Sequence, residues 1–358
     1  MKIKTFLLAG ATVLAAGVSA QAADLGAEPA NYVKVCDAFG KGYYYAPGTD
    51  TCIRIGGYVR FEVRGLQFSP AQPLATNWKY VTEAAVNVTA SSMTEYGPLI
   101  GYIQILASSS STLADGKPGA GVNALAGAVV DDAWLSLGPL LAGYTWSIFQ
   151  TYEAPVFNNS NYRNFSGRTR LNQVRLTWKS GDFGFGLAAE DYSGRIPANV
   201  TNVPDITAAI DGKVAGIGLH LGAGYGARGA GNTWGVNGTA SVGLDALSKG
   251  SVLAVGANYS AGGDDWIGSY NTSPAPTITP GMNYYSVYGH FLYFWNSQFS
   301  TAIAGAYRSG ATTRTEFTLN GTFRPVTGFA VGADIDAVSS GGAAYVVSGR
   351  VRLQRSFP

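Results

Sequence analysis

Apolar and polar side chains alternate along residues 53–64 of this 358-residue chain. Isoleucine, valine and phenylalanine occupy one set of alternate positions, and arginine, tyrosine and glutamate occupy the other. Because successive side chains of a β-strand point to opposite faces, this period of two predicts a strand with one apolar and one charged face. A soluble β-sandwich would bury the apolar face, whereas a membrane barrel would turn it to lipid. The charged face carries Arg54, Tyr58, Arg60, Glu62 and Arg64.

The same alternation recurs around residues 174–179, 314–319 and 347–354, where arginine again occupies polar positions. Together with weaker segments, about sixteen candidates have the length that a tilted membrane-spanning strand requires. The candidate near residues 205–211 has the weakest pattern. The predicted strands begin near Ile53, Lys79, Tyr96, Val130, Leu140, Thr169, Phe183, Asp205, Val214, Asn232, Ser251, Asn283, Gln298, Thr313, Gly328 and Ala344.

Short connections between these strands alternate with long ones. The predicted tight turns are residues 93–95, 138–139, 180–182, 212–213, 295–297 and 324–325. The long connections include residues 108–128, 150–168, 192–204 and 261–282. Tight turns at one rim and long loops at the other are typical of outer-membrane barrels. The sequence therefore predicts an all-β fold, a transmembrane antiparallel β-barrel of about sixteen strands with short periplasmic turns and long extracellular loops.

Residues 1–22 have the order of a secretory signal peptide. Lys2 and Lys4 are followed by an apolar stretch, which ends in Ala-Gln-Ala. Cleavage after Ala22 is expected, and it leaves residues 23–358 as the barrel domain. The composition agrees with a wall that faces lipid, because charged residues make up only 13% of the chain, against about 25% in soluble domains.

Cys36 and Cys52 are the only cysteines. A closely spaced pair in an exported chain predicts a disulfide, since the periplasm is oxidising. Metal binding is the weaker alternative, because the cysteines and the two distant histidines have no zinc-ligand spacing. Residues 23–52 would then form a disulfide-containing segment that leads into the first strand.

Charge and motif content argue against nucleic-acid partners and against catalysis. The whole chain has a formal net charge of +2, and removal of residues 1–22 leaves a neutral chain with no basic surplus to attract nucleic acid. Residues 224–229 match G-x-G-x-x-G, but no amphipathic helix follows, so dinucleotide binding is not expected. His220 and His290 have no nearby nucleophile motif. We expect no catalytic residue, no metal and no cofactor.

Four motifs lie close together near the N-terminus. They are Tyr-Val-Lys-Val-Cys-Asp at residues 32–37, Gly-Tyr-Tyr-Tyr at 42–45, Pro-Gly-Thr-Asp-Thr-Cys at 47–52 and Ile-Gly-Gly-Tyr-Val-Arg-Phe at 55–61. Asp-Asp-Ala-Trp-Leu at 131–135 and Val-Arg-Leu-Gln at 351–354 are further matches. In these residues the chain resembles the alphaproteobacterial porin family, the general outer-membrane porins of Rhizobiales type. The resemblance implies a sixteen-stranded homotrimer whose third long loop folds into the barrel. Such barrels typically end on an aromatic residue, whereas Pro358 follows Phe357 here.

The resemblance maps the third long loop onto residues 150–168. A loop of this length without structure of its own is usually functional. In one hypothesis, arginines form a basic wall that Glu153 and other loop acids oppose across the opening. In the other, the arginines pair with Glu62, Glu83 and Glu316 and keep the lumen hydrated. The candidate pore-lining residues are Arg54, Arg60, Glu62, Arg64, Lys79, Glu83, Glu153, Arg163, Arg168, Arg175, Arg314, Arg350 and Arg352.

The expected function is passive diffusion of small hydrophilic solutes and ions across the bacterial outer membrane, with membrane lipid and lipopolysaccharide around the barrel. A barrel of about sixteen strands has an aqueous lumen, whereas eight-stranded barrels fill with side chains. A substrate-specific channel, for example for sugars, is one alternative, and a plugged barrel with an adhesin or structural role is another. A barrel enzyme would require a serine, histidine and acid constellation at the rim, which the sequence does not display.

Overall fold

In the computed structural model, the described residues are 34–67, 79–109, 128–158, 162, 165–167, 169–193, 202–268, 278–310 and 313–357. The chain divides into a unit that ends at Lys34 and a unit that begins at Val35, and the fold below is that of the second unit. The expected signal peptide, residues 1–22, lies outside the described residues, as do Arg163, Arg168 and Pro358. No helix in the described ranges combines the length and the apolar character needed to cross a membrane.

Sixteen long antiparallel strands, preceded by one two-residue strand, form a single closed sheet in the described part of the chain. The short strand is β1 (Tyr44–Tyr45). The wall strands are β2 (Cys52–Gln67), β3 (Lys79–Thr94), β4 (Gly97–Ser108), β5 (Val129–Leu137), β6 (Leu140–Trp146), β7 (Arg170–Ser180), β8 (Phe183–Glu190), β9 (Asp205–Val214), β10 (Ile217–Gly226), β11 (Thr233–Gly243), β12 (Val252–Gly263), β13 (Ile278–Phe294), β14 (Phe299–Arg308), β15 (Arg314–Val326), β16 (Phe329–Ser340) and β17 (Val346–Phe357). The wall closes because β17 pairs with β2, with Val351 opposite Val63.

The predicted strands are confirmed in number and order. Even the weakest candidate, near residues 205–211, is a wall strand, β9. The largest differences are at β10, which begins at Ile217, and at β13, which begins at Ile278. The early start of β13 was not predicted, because its first residues lie in a stretch that has no period-two alternation.

Two predicted turns were placed wrongly. Residues 212–213 lie inside β9, and the turn is formed by Ala215 and Gly216, which both have positive φ, as such tight turns require. Residues 324–325 lie inside β15, whose register with β16 shifts between Phe323 and Val326. A bulge of this kind tolerates a proline within a strand.

The predicted alternation of connection lengths holds only in part. Residues 244–251 form a comparatively long connection at the turn rim, between β11 and β12. At the loop rim, residues 309–313 and 341–345 are short connections.

The two faces of the wall differ in polarity. Large apolar side chains point outward, for example Leu221 with 59% of its surface exposed and Ile303 with 58%. Polar side chains such as Glu62 and Glu316 point inward and are fully buried. An apolar outer surface of this extent suits lipid and not water. The membrane-barrel interpretation of residues 53–64 is thus correct.

The predicted disulfide between Cys36 and Cys52 is confirmed, with a Cα–Cα distance of 6.0 Å. It ties the segment before the wall to the first residue of β2. In that segment, β1 pairs with the beginning of β2. The register of β17 on β2 ends with Phe357 opposite Gly57, so β1 occupies the edge of β2 that β17 leaves open. The disulfide therefore stabilises the region in which β17 and β1 both pair with β2 and the barrel closes.

Candidate pore constriction

The described residues between β6 and β7 lie inside the barrel, as predicted for the third long loop. Its backbone is hydrogen-bonded to inward side chains of distant strands. Asn258 Nδ2 on β12 donates to Ser166 O at 2.7 Å, and Ser286 Oγ on β13 donates to Phe165 O. These contacts attach the loop, here named the third loop (residues 147–169), to the wall across the lumen from its own strands.

The middle of the third loop meets the last strand of the barrel. Arg350 Nη1 donates to Phe157 O at 2.9 Å, and Arg350 Nη2 donates to Asn158 Oδ1 at 3.0 Å. Arg352 Nη2 donates to the same Phe157 oxygen at 2.9 Å, and its guanidinium carbon lies 4.5 Å from the centroid of the Phe157 ring. Asn158 N in turn donates to Asp334 Oδ2 at 2.6 Å. The loop is therefore fixed where β16, β17 and β2 meet.

Four arginines and two glutamates form a cluster on β2, β3 and β17. Glu62 accepts from Arg352 Nε at 2.5 Å, also pairs with Arg64, and lies 3.9 Å from Arg350. Glu83 on β3 pairs with Arg60 and accepts from Tyr58 Oη at 2.6 Å. We name Arg60, Glu62, Arg64, Glu83, Arg350 and Arg352 the seam cluster.

Both glutamates of the seam cluster are fully buried, while each arginine keeps between 12% and 14% of its side chain exposed. The ion pairs expected under the second charge hypothesis are thus present. The same holds on β15, where Arg314 lies 3.1 Å from Glu316. Because arginines outnumber glutamates within the seam cluster, the pairing leaves a local positive excess.

Two further candidate arginines contact groups other than carboxylates. The Arg54 guanidinium lies 5.0 Å from the centroid of the Tyr43 ring, in the disulfide-linked segment. Arg175 Nη1 donates to Trp146 O at 3.3 Å, at the end of β6. Each side chain has the inward position that the alternation predicts.

The other candidates occupy the rim and the third loop. Lys79 is the first residue of β3 and pairs in register with Arg64. Glu153 is an exposed residue of the third loop. Arg163 and Arg168 are outside the described residues, so the seam cluster is the part of the predicted set that the structure brings together.

Sequence reasoning missed a second group of charges, on β5 and β7. Arg170 Nη1 lies 2.7 Å from Asp131 Oδ1, and Arg170 Nε lies 3.5 Å from Asp132 Oδ2. The guanidinium also lies 4.1 Å from the centroid of the Trp146 ring. Asp131 and Asp132 were read only as part of a family motif. The alternation gave no signal for Arg170, because this residue has the opposite strand parity to Leu171 and Gln173, the buried inward residues of β7.

Buried tyrosines hold the third loop on the wall. Tyr162 Oη donates to Thr318 Oγ1 on β15 at 3.0 Å, and Tyr152 Oη lies 3.1 Å from His290 Nδ1 on β13. Burial raises the pKa of both phenols well above the ordinary value of a tyrosine. The two side chains therefore stay neutral and act as hydrogen-bonding groups rather than as charges in the pore.

The chain matches a known family along most of its length. Residues 23–347 match the family model described as "Porin subfamily". Porin Omp2b of Brucella neotomae is 29% identical over 381 residues, which cover 100% of both chains. Outer membrane protein IIIA of Rhizobium leguminosarum bv. viciae is 31% identical over 237 residues, which cover 63% of this chain and 60% of that protein.

A solved structure has the same fold. The crystal structure of the outer membrane channel DcaP of Acinetobacter baumannii superposes with a TM-score of 0.69, at 15% sequence identity. The superposition covers 87% of this chain and 99% of DcaP. At this identity the likeness supports the closed barrel and nothing finer.

Proposed function

Since this chain belongs to the porin subfamily and is an outer-membrane diffusion channel, we propose that solutes cross it through the space between the third loop and the seam cluster. The observation that carries the proposal is the attachment of Phe157 and Asn158 to Arg350 and Arg352. A sixteen-stranded barrel is wide enough for an aqueous channel. An inward loop fixed to the wall at mid-barrel narrows that channel without closing it.

The charges beside this passage are proposed to set its ion preference. The seam cluster has a positive excess, and Asp334 and Asp336 on the neighbouring β16 supply negative charge next to it. Rings and patches of charged side chains select ions in other pores by the same electrostatics. Glu153, exposed on the third loop, is proposed as an acid that faces the opening. The passage would then select solutes by charge as well as by size.

The proposed partners follow from the outer surface of the wall. We propose that outer-membrane lipid and lipopolysaccharide cover the apolar face and that three copies of the chain associate through part of it. We further propose that the chain is exported with cleavage after Ala22. The mass of the purified mature protein tests the cleavage after Ala22. Its mass in mild detergent, before and after heating, tests the association of three copies.

Liposome swelling tests the proposed function directly. Proteoliposomes are placed in isotonic solutions of neutral sugars of increasing size, and the swelling rate is recorded. A general diffusion channel gives rates that fall with solute size and rise linearly with solute concentration. Rates that saturate for one sugar would favour a substrate-specific channel, and no swelling with a folded barrel would contradict the proposal.

A further inference from the structure

A second loop enters the barrel next to the third loop. It follows β12 and includes a 3-10 helical turn, Asp265–Ile267. All three residues of this turn are fully buried. The Trp266 indole donates from Nε1 to Thr233 Oγ1 on β11 at 3.2 Å. We name residues 264–268 the clamp segment.

The Trp266 side chain fills a space beside two glycines of the wall, Gly224 and Gly235, which we name the glycine seat. A methyl group on Gly224 of β10 or on Gly235 of β11 would overlap the indole. Only glycine leaves the space that this side chain fills. Gly224, the first glycine of the G-x-G-x-x-G match at residues 224–229, thus contacts a tryptophan from another part of the chain. Because the Trp266 ring fits the glycine seat, the clamp segment is held at one position along the wall.

The clamp segment touches both ends of the third loop. The Trp266 ring lies 5.0 Å from the ring of Phe149, near the beginning of the third loop. Near the end of the third loop, Asn258 Nδ2 donates both to Ser166 O at 2.7 Å and to Trp266 O at 3.2 Å. A methyl group on Gly167 would overlap that same Trp266 oxygen. One tryptophan therefore supports the two points at which the third loop enters and leaves the lumen.

A buried ion network anchors the clamp segment to the wall. Arg228 donates to Asp205 at 2.5 and 2.6 Å and to Asp265 at 2.9 and 3.2 Å. Thr233 Oγ1 also donates to Asp265, at 2.8 Å. Burial by itself lowers the pKa of Arg228, but the two carboxylates raise it above the ordinary value, so the guanidinium remains charged. Three donors, two from Arg228 and one from Thr233, thus converge on Asp265 Oδ2 and attach the clamp segment through charge-assisted hydrogen bonds.

We propose that the clamp segment, with Trp266 as its positioning residue, holds the third loop in place and thereby sets the conducting cross-section of the pore. The proposal rests on the proposed function and adds to it a second loop that determines the constriction. Without the indole, the beginning of the third loop loses its packing partner at Phe149. The Trp266 carbonyl oxygen, which Asn258 and Gly167 contact near the end of the third loop, loses the side chain that positions it. The third loop then moves in the lumen, and the current fluctuates with it.

The test compares Trp266→Ala with Trp234→Ala, a matched loss on the outer face of β11, where Trp234 is 46% exposed. Single-channel current is recorded from the refolded full chain in planar bilayers. Trp266→Ala is expected to raise open-channel noise and to lower the voltage at which the channel closes, and Trp234→Ala to change neither. Trp266→Phe, which keeps a ring in the glycine seat, is expected to restore most of the wild-type behaviour.

Further comparisons keep the result interpretable. If Trp266→Ala does not fold, Asp265→Asn removes one charge of the network at constant size and is expected to change noise and closing voltage in the same direction. Unchanged gating in folded Trp266→Ala or Asp265→Asn would overturn the clamp proposal. An unfolding midpoint that falls while noise and closing voltage stay at wild-type values would also overturn it, since the segment would then be structural only. A wild-type protein without conductance would instead contradict the proposed function.

An independent observation concerns a cavity of about 760 Å³ on the turn-rim side of the third loop. The lining includes Phe157, Gln298, Arg324, Arg352 and Gln354. Two arginines and no acidic side chain are among the described residues that line it. Because Arg352 is ion-paired with Glu62, Arg324 is the main source of positive charge among the described residues of this cavity wall.

Arg324 lines this cavity and uses only part of its N–H hydrogen-bonding capacity within the protein. Its Nη1 donates to Ser300 Oγ at 2.8 Å, and its guanidinium lies 5.5 Å from the centroid of the Phe294 ring. No carboxylate oxygen of the described residues lies within 4.0 Å of it. A guanidinium has five N–H donors, so most of them can face the cavity. We infer that this cavity is a weak binding site for small oxyanions, carboxylate or phosphate, at the periplasmic mouth.

The test is block of the chloride current by acetate or inorganic phosphate added on the turn-rim side. Wild-type channels are expected to show concentration-dependent block, which Arg324→Gln abolishes. Arg355→Gln is the matched control, because Arg355 is exposed at the same rim and donates to Thr327 O at 2.9 Å. Block by acetate alone would assign the site to carboxylates, and block by phosphate alone to tetrahedral anions. Equal block in Arg324→Gln and wild type, or no block by either anion, would overturn the inference.

Discussion

Arg352 donates from Nε to Glu62 Oε1 at 2.5 Å and so joins the last strand of the barrel to the first. The two residues are separated by 290 positions in the sequence. Because Glu62 also pairs with Arg64, one buried carboxylate serves both strands of the closing seam. The contact places the same ion cluster in two roles, since it closes the wall and also receives the third loop through Phe157.

Glu62→Gln is expected to weaken the closed barrel. The substitution leaves Arg64 and Arg352 without their shared carboxylate, and loss of one partner of a buried ion pair costs about 3 kcal/mol or more. The free energy of unfolding, from urea titration of the barrel in lipid, measures the effect. Glu95→Gln, at an exposed turn position, is the control and should match the wild type. Equal unfolding midpoints for the two variants would show that the seam does not depend on this carboxylate.

Neutralising Arg60 and Arg64 together is expected to shift ion selectivity toward cations. Both arginines line the same side of the lumen, so their loss removes positive charge where ions pass. The reversal potential across a salt gradient measures the shift. The control is the double variant Lys249→Gln/Arg355→Gln, which removes the same amount of positive charge at exposed positions of the turn rim. If the reversal potential of the variant without Arg60 and Arg64 stays at the wild-type value, the prediction is contradicted.

Phe157→Ala is expected to raise single-channel conductance. The ring lies against the Arg352 guanidinium in the middle of the third loop, and its removal leaves space next to the passage. Phe299→Ala, on the outer face of β14, removes a ring of the same size outside the lumen. Conductance is measured for both at the same salt concentration. An increase in both variants, or in neither, would argue against a constriction at Phe157.

Reduction of the Cys36–Cys52 disulfide is expected to lower barrel stability without abolishing conductance. The bond closes a loop with a sequence separation of 16 residues, and a loop of that size stabilises a folded chain by about 3 kcal/mol. The wall itself remains closed by the pairing of β17 with β2. The unfolding midpoint with and without reductant measures the effect. A variant with serine at both cysteine positions should be insensitive to reductant, and a reductant effect on it would show another cause.

The wall was predictable because its signal is local. Alternation at residues 53–64 assigns Arg60 and Glu62 to the inner face without any knowledge of neighbouring strands. Once strands β2 and β17 are both recognised, closure of the barrel brings Arg352 to Glu62. The same local signal located the weak strand β9 but not its turn, since Gly212 has the composition of a turn residue while lying beneath the Phe183 ring.

The contacts that position the third loop were not predictable, because they join residues far apart in the sequence. Gln150 and Tyr288 are hydrogen-bonded across 138 positions. Trp266 gave no signal as a positioning residue, since a single tryptophan in a long connection has no periodicity to interpret. Of the two glycines that Trp266 contacts, only Gly224 was noticed in the sequence, as part of a G-x-G-x-x-G match that no amphipathic helix follows. Such pairs depend on the strand register that the folded barrel sets.

Single-channel recording of the refolded wild-type protein in planar bilayers, with the reversal potential measured across a salt gradient, tests the central claim most directly. An open barrel narrowed by a fixed third loop predicts large, stable, stepwise openings with weak voltage dependence, in groups of three if the chain is a trimer. Silent insertion, with the folded barrel verified by heat-modifiable gel mobility, would contradict the account and indicate a plugged barrel.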